Sequence, residues 1–172
     1  QNRWTECIPY KDRVKPCLKN MPENKPKTIA DFIGHDDPNL PLFYLDEWTS
    51  DSPQCLLFSG QPGLGKTTAA YLIANELNLD LVELNASDER GIDAVRNKIK
   101  QIVYSTSPWN QTLILLDEFE GMTKPAQEAL KRMMEKSNCW WILTCNDLSS
   151  VIPAIKSRCV QFHFKPYSVK QI

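Results

Sequence analysis

Residues 60–67 read Gly60-Gln61-Pro62-Gly63-Leu64-Gly65-Lys66-Thr67, which satisfies the spacing G-x-x-x-x-G-K-[ST]. Glycines so placed let the backbone bend until successive N–H groups point inward, and a helix starting there adds the partial positive charge of its N-terminus. The chemistry that needs such a cradle is the holding of phosphate oxygens. Lys66 would reach the β and γ phosphates of a nucleoside triphosphate, and Thr67 would offer its hydroxyl to Mg²⁺. Gly60, Pro62, Gly63, Leu64, Gly65, Lys66, Thr67 and Thr68 are therefore the expected nucleotide contacts. A second cluster closes the apolar run Thr112 to Leu116, where Asp117 and Glu118 follow at once. Asp117 suits the magnesium shell, and Glu118 beside it is placed to polarise an attacking water. Glu120 is expected to face solvent. Asn146 follows the apolar run Trp140 to Cys145 and brings a neutral amide that would orient the water or touch the γ phosphate.

Groups so far apart in sequence need a scaffold that brings several strand ends together. Five short apolar runs predict strands: Cys55 to Ser59, Leu81 to Leu84, Leu113 to Leu116, Trp140 to Cys145 and Val160 to Phe164. Between them Ala70, Ile73, Ala74 and Leu77 recur at helical spacing, as do Ile92, Val95, Ile99 and Ile102, and then Ala126, Ala129, Leu130, Met133 and Met134. Each stripe predicts a helix packed on a sheet. Strand and helix in alternation predict an α/β fold with a five-stranded, mainly parallel sheet, and such sheets place ligands at the carboxyl ends of their strands.

The chain has 172 residues, 42% apolar and 24% charged, enough for one domain with a real core and too apolar for wholesale disorder. Twenty basic and 21 acidic side chains give a net charge of -1, so attraction to nucleic acid has to come from local patches. The charges are segregated: residues 3–27 hold seven basic groups and three acidic ones, whereas residues 31–51 hold six acids and no lysine or arginine. Seven of the twelve prolines fall in residues 1–54, which reads as a peripheral arm. No apolar run approaches the length needed to span a bilayer and no signal pattern opens the chain, so a soluble intracellular protein without membrane contact is expected. Gln1 in place of a methionine suggests a processed product or a fragment. Six cysteines show no C-x-x-C pair, and Cys55 and Cys145 read as reduced, apolar side chains of buried strands. Cys7, Cys17 and His35 are the alternative, a set of metal ligands. Trp140 and Trp141, adjacent on a strand, point to opposite faces, so at least one belongs to the core rather than to a base-stacking surface.

Taken together, the phosphate loop, Leu115-Leu116-Asp117-Glu118, Asn146, Ser157-Arg158-Cys159 and above all the stretch from Glu83 to Asp93, E-L-N-A-S-D-E-R-G-I-D, resemble the AAA+ ATPase core of a clamp-loader subunit of the replication factor C type. The resemblance runs from about Asn24 to Ile172. It implies ATP and Mg²⁺ as ligands, Asn146 as the sensor 1 residue, and Ser-Arg-Cys as the mark of a small subunit whose Arg158 serves a neighbour's ATP in trans. It further implies a hetero-pentamer with other clamp-loader subunits that opens a sliding clamp and sets it on primer-template DNA without reading sequence, in a prokaryotic or archaeal cytoplasm or a eukaryotic nucleus. Phe32-Ile33-Gly34 resembles the segment lining the base, which adds Ile33 and Gly34 to the nucleotide contacts. DNA phosphates would be met near two helix starts, making Arg90, Arg96, Lys98, Lys124 and Gln127 candidates. Residues 1–28 then form a basic, proline-rich arm with an apparent insertion, and residues 29–172 the ATPase core. Against the family pattern, the usual Tyr-Arg pair is replaced by Asn24-Lys25, and the resemblance leads us to expect no helical lid or collar domain within these residues.

Three functional readings follow. The first is an ATP-driven clamp loader, slow as an isolated chain. The second is a nucleotide-dependent scaffold with little turnover of its own. The third is another AAA+ DNA motor such as a branch-migration helicase, against which stand the Glu83 to Asp93 stretch and the Ser-Arg-Cys motif.

Overall fold

The computed structural model describes residues 26, 28–32, 37–43, 55–87, 92–105 and 112–166. Most of the arm, its two cysteines, Ile33, Gly34, His35 and Arg90 lie outside the described residues. Among the described residues five strands alternate with four helices: β1 (Cys55–Ser59), α1 (Lys66–Glu76), β2 (Asp80–Asn85), α2 (Ile92–Ser105), β3 (Thr112–Asp117), α3 (Lys124–Lys136), β4 (Trp140–Cys145), α4 (Pro153–Lys156) and β5 (Val160–His163). The strands form one sheet in the order β2-β3-β4-β1-β5, and every pairing is parallel. All five expected strands are present, so the sheet is wholly parallel where the sequence promised a mainly parallel one.

Position in the sheet explains the composition of each strand. The central strands β3, β4 and β1 are apolar almost throughout because both of their faces are covered, whereas the edge strands β2 and β5 keep several exposed side chains. Successive side chains of β3 serve opposite faces: Leu113 and Leu115 join one core cluster, Ile114 and Leu116 the other. The first cluster contains Ala70, Ile73 and Ala74 of α1 together with Phe32, Leu40 and Leu42 of the described arm. The second contains Val95 and Ile99 of α2, Leu130 and Met134 of α3, and Ile155 of α4. Trp140 and Trp141 divide in the same way, and both are buried.

This division creates the crevice in which a ligand can sit. The helix after β1 covers one face of the sheet and the helices after β3 and β4 cover the other, so the chain parts at the carboxyl ends of three neighbouring strands. One cysteine expectation needs correction. Cys55, at the start of β1, is joined in a disulfide to Cys159, just before β5, because the parallel β1–β5 register sets the two strand starts side by side. Cys139 and Cys145 are both buried.

Candidate functional site

The loop between β1 and α1 needs glycine for two distinct reasons. Gly60 has φ 138°, and a Cβ built on it would fall 2.3 Å from the carbonyl oxygen of Phe164, whose N–H donates to Ser59 O at 2.8 Å. Gly65, with φ 88°, occupies the N-cap of α1 in the left-handed region that L side chains avoid. With the loop so shaped, Lys66 stands at the first position of α1 with its ammonium turned back under the loop. Nζ donates to Gly60 O at 2.6 Å, to Gln61 O at 2.8 Å and to Asn146 Oδ1 at 3.2 Å. Lys66 is only 8% exposed. Burial lowers its pKa from the ordinary lysine value, and the negative charges of Asp117 and Glu120 oppose that shift.

A cavity of about 340 Å³ opens beside this ammonium and is lined by Pro62, Gly63, Gly65, Lys66, Thr67, Thr68, Asp117, Glu118, Glu120, Thr144, Cys145 and Asn146. The strand order brings these residues together, since β3 and β4 end beside the loop that follows β1. Thr67 Oγ1 lies 3.4 and 3.3 Å from the two carboxylate oxygens of Asp117. The hydroxyl of Thr144, on β4, donates to Asp117 Oδ1 and accepts from the backbone N–H of Glu118 at 3.3 Å. Glu118 itself has φ 54°, a costly conformation for a residue with a Cβ, and its carboxylate is exposed. Ser87 Oγ and Asn85 Nδ2 both donate to Glu118 Oε2, and these bonds, Ser87 first, hold its pKa below the usual carboxylate value. Close approach makes this possible: a Cβ on Gly121 would lie 2.7 Å from Ser87 Cβ.

The oxygen donors suit a hard divalent cation. Thr67 Oγ1 and Asp117 face one another on the cavity wall, and magnesium characteristically takes one or two such protein oxygens and completes its shell with water and phosphate. Cys145, the soft ligand nearby, does not compete, because burial and then the charge of Glu120 push its thiol up to about 11 and keep it protonated.

Several expected residues are placed differently. Leu64 does not line the cavity; its side chain packs against the core cluster on the α1 face. Glu120 does not simply face solvent: it lines the cavity and accepts from Asn146 Nδ2 at 2.6 Å. Gln127 is fully buried and cannot be a DNA contact as proposed from sequence. Its Nε2 donates to Met122 O and Ser150 O, and its Oε1 accepts from Ile152 N at 2.9 Å, so the amide ties α3 to the loop before α4. Arg96, Lys98 and Lys124 are exposed, on two helices that cover the same face of the sheet. Arg158 is not part of the cavity wall and forms an ion pair with Glu135 of α3. Asn85, Ser87 and Thr144 are site residues to which sequence reasoning gave no role, and Glu120 is one it set toward solvent. Thr144 had one available signal, its place beside Cys145 and Asn146 at a strand end.

The profile of the ATPase family associated with various cellular activities (AAA) matches residues 56–167. The replication factor C small subunit of Methanococcus maripaludis is 42% identical over 158 residues, covering 86% of this chain and 49% of the relative. That of Methanosarcina mazei is 49% identical over 128 residues, covering 68% of this chain and 38% of the relative. The chain thus spans about half the length of these relatives, or less. Among solved structures, the RuvB Holliday junction branch migration motor of Thermotoga maritima superimposes with a TM-score of 0.66 at 21% identity, over 86% of this chain and 50% of that one. A likeness at that identity bears on the fold alone.

Proposed function

The chain belongs to the ATPase family associated with various cellular activities, and we propose that it is the ATP-binding and hydrolysing core of a clamp-loader small subunit, which helps place a sliding clamp on primer-template DNA. The observation that carries this reading is the buried Lys66 ammonium, fixed by two loop carbonyls and Asn146 on the wall of the cavity that Thr67 and Asp117 also line. Binding would rest on the loop N–H groups and Lys66, with Gly63, Gly65 and Thr68 at the wall and Ile33 and Gly34 toward the base. Thr67 and Asp117 would hold Mg²⁺, which when bound neutralises charge on the phosphate oxygens. Glu118, ionised and exposed, is the group to draw a proton from water, and Asn146 the amide to orient that water or the γ phosphate.

Arg158 is assigned to a neighbouring subunit's ATP, since it lies outside this chain's own cavity and its planar guanidinium matches the geometry of phosphate oxygens. Arg96, Lys98 and Lys124 are the candidate surface for DNA phosphates; Arg90, the fourth candidate, lies outside the described residues. Partners in this reading are the other clamp-loader subunits and the clamp, in the cell interior. The identity of 42% to 49% with replication factor C small subunits favours this over a branch-migration motor, where the likeness extends to fold only.

The test joins binding to loading. Lys66→Ala should abolish magnesium-dependent ATP binding, and complexes reconstituted with that variant should load clamps on primed DNA poorly. Unchanged ATP affinity would overturn the phosphate-loop assignment. Lost binding with undiminished loading would favour the scaffold reading instead.

A further inference from the structure

Glu120 stands in the short 3-10 turn Phe119–Gly121 that follows β3, between a fully buried phenylalanine and a glycine pressed against Ser87. The turn is closed by Gly121 N donating to Glu118 O at 2.9 Å and Met122 N to Phe119 O at 3.1 Å. The Glu120 carboxylate is thus offered from a rigid base. It meets Asn146 at two points: Nδ2 donates to Oε1 at 2.6 Å, and the backbone N–H reaches Oε1 and Oε2 at 3.2 and 3.3 Å. On the far side of the same amide, Oδ1 accepts from Lys66 Nζ at 3.2 Å.

The two ends of an asparagine amide are nearly alike in shape and opposite in hydrogen bonding. An ionised carboxylate only accepts and an ammonium only donates, so Glu120 and Lys66 demand the same orientation. The flipped amide would set Oδ1 against a carboxylate and NH₂ against an ammonium, two repulsive contacts at once. One Nδ2 hydrogen goes to Glu120. Its second N–H is the one left to reach into the cavity, whose wall Asn146 forms.

We infer that Glu120 is a positioning residue for Asn146: it fixes the amide's orientation and so determines which hydrogen is available to the reacting end of ATP. The inference rests on the ATPase reading above. Its mechanism is preorganisation, in which a donor held in place before the charge develops needs no rearrangement during the reaction.

The test uses the full chain. In ¹H–¹⁵N correlation spectra without nucleotide, Glu120→Ala should move both side-chain amide signals of Asn146. In single-turnover ATP hydrolysis Glu120→Ala should slow the chemical step by about tenfold, less than the 10²-fold or more typical of deleting a whole oxyanion donor, while ATP affinity stays unchanged. In an Asn146→Ala background the Glu120→Ala change should slow hydrolysis no further, because its effect passes through that amide. Glu120→Gln keeps an acceptor oxygen at the same reach and should retain most of the rate. Unmoved Asn146 signals, an undiminished Glu120→Ala effect in the Asn146→Ala background, or equal loss in the Ala and Gln variants would each overturn the inference. Failure of the ATPase reading would show separately, as no ATP binding by the wild-type chain, and the amide signals would still decide whether Glu120 holds Asn146.

Discussion

Lys66 and Arg158 are held in opposite ways. Lys66 is buried, and two of its three partners are backbone carbonyls of a loop that Gly60 and Gly65 lock into shape. Arg158 has a side chain that is 42% exposed, and its carboxylate partner Glu135 is itself 32% exposed on a separate helix. A buried cation whose acceptors are fixed cannot leave without stranding them, whereas an exposed ion pair is worth about 0–1 kcal/mol and exchanges with water or a new partner at little cost. The first arrangement suits a group that works within its own chain. The second suits a group available to another.

The widest test of this contrast asks where Arg158 acts. In complexes of defined order, Arg158→Ala should leave the chain's own ATP affinity intact and slow hydrolysis at the adjacent subunit by about 10³–10⁵, the worth of an arginine finger. Loss of the chain's own nucleotide binding, with the neighbour spared, would reverse the assignment. Next in size is Glu118→Gln, which should keep ATP bound and reduce turnover by about 10²–10⁴, the usual contribution of a general base. Equal loss of binding and turnover would place Glu118 among the phosphate contacts instead.

A smaller effect concerns pH. Ser87 and Asn85 favour the ionised form of Glu118 and so depress its pKa. Removing the Ser87 hydroxyl should let that pKa rise toward the ordinary carboxylate value, so the acidic limb of the pH–rate profile should move to higher pH in Ser87→Ala. A limb that stays put would mean that Glu118 does not set it. The smallest effect is on stability: Glu135→Gln should change the free energy of unfolding by less than about 1 kcal/mol in chemical denaturation, as befits an exposed pair. A larger loss would show that Arg158 is committed to its own chain and would blur the contrast with Lys66.

The phosphate loop was legible because its chemistry is local: glycines, lysine and threonine within eight consecutive residues meet in space whatever surrounds them. Strands β1, β3 and β4 were legible for a related reason, since burial on both faces leaves an unbroken apolar run in the sequence. Gln127 shows the limit. On a helix with lysines and glutamates around it, its polar side chain resembles the others, and only the packing of α3 against the loop before α4 turns it inward to three backbone partners. Glu120 was misread for the mirror-image reason, a charged residue in a turn that packing directs onto an amide rather than into water.

By itself, then, the sequence determined the elements and the residues at their ends, because hydrophobic period and turn chemistry act over a few residues at a time. Which ends become neighbours was decided only in three dimensions. The order β2-β3-β4-β1-β5 sets Asn146 against Lys66 across 80 positions of sequence and Asp117 against Thr67 across 50. Strand adjacency comes from the burial of whole faces and from hydrogen bonds between segments far apart along the chain, and no local pattern encodes those pairings.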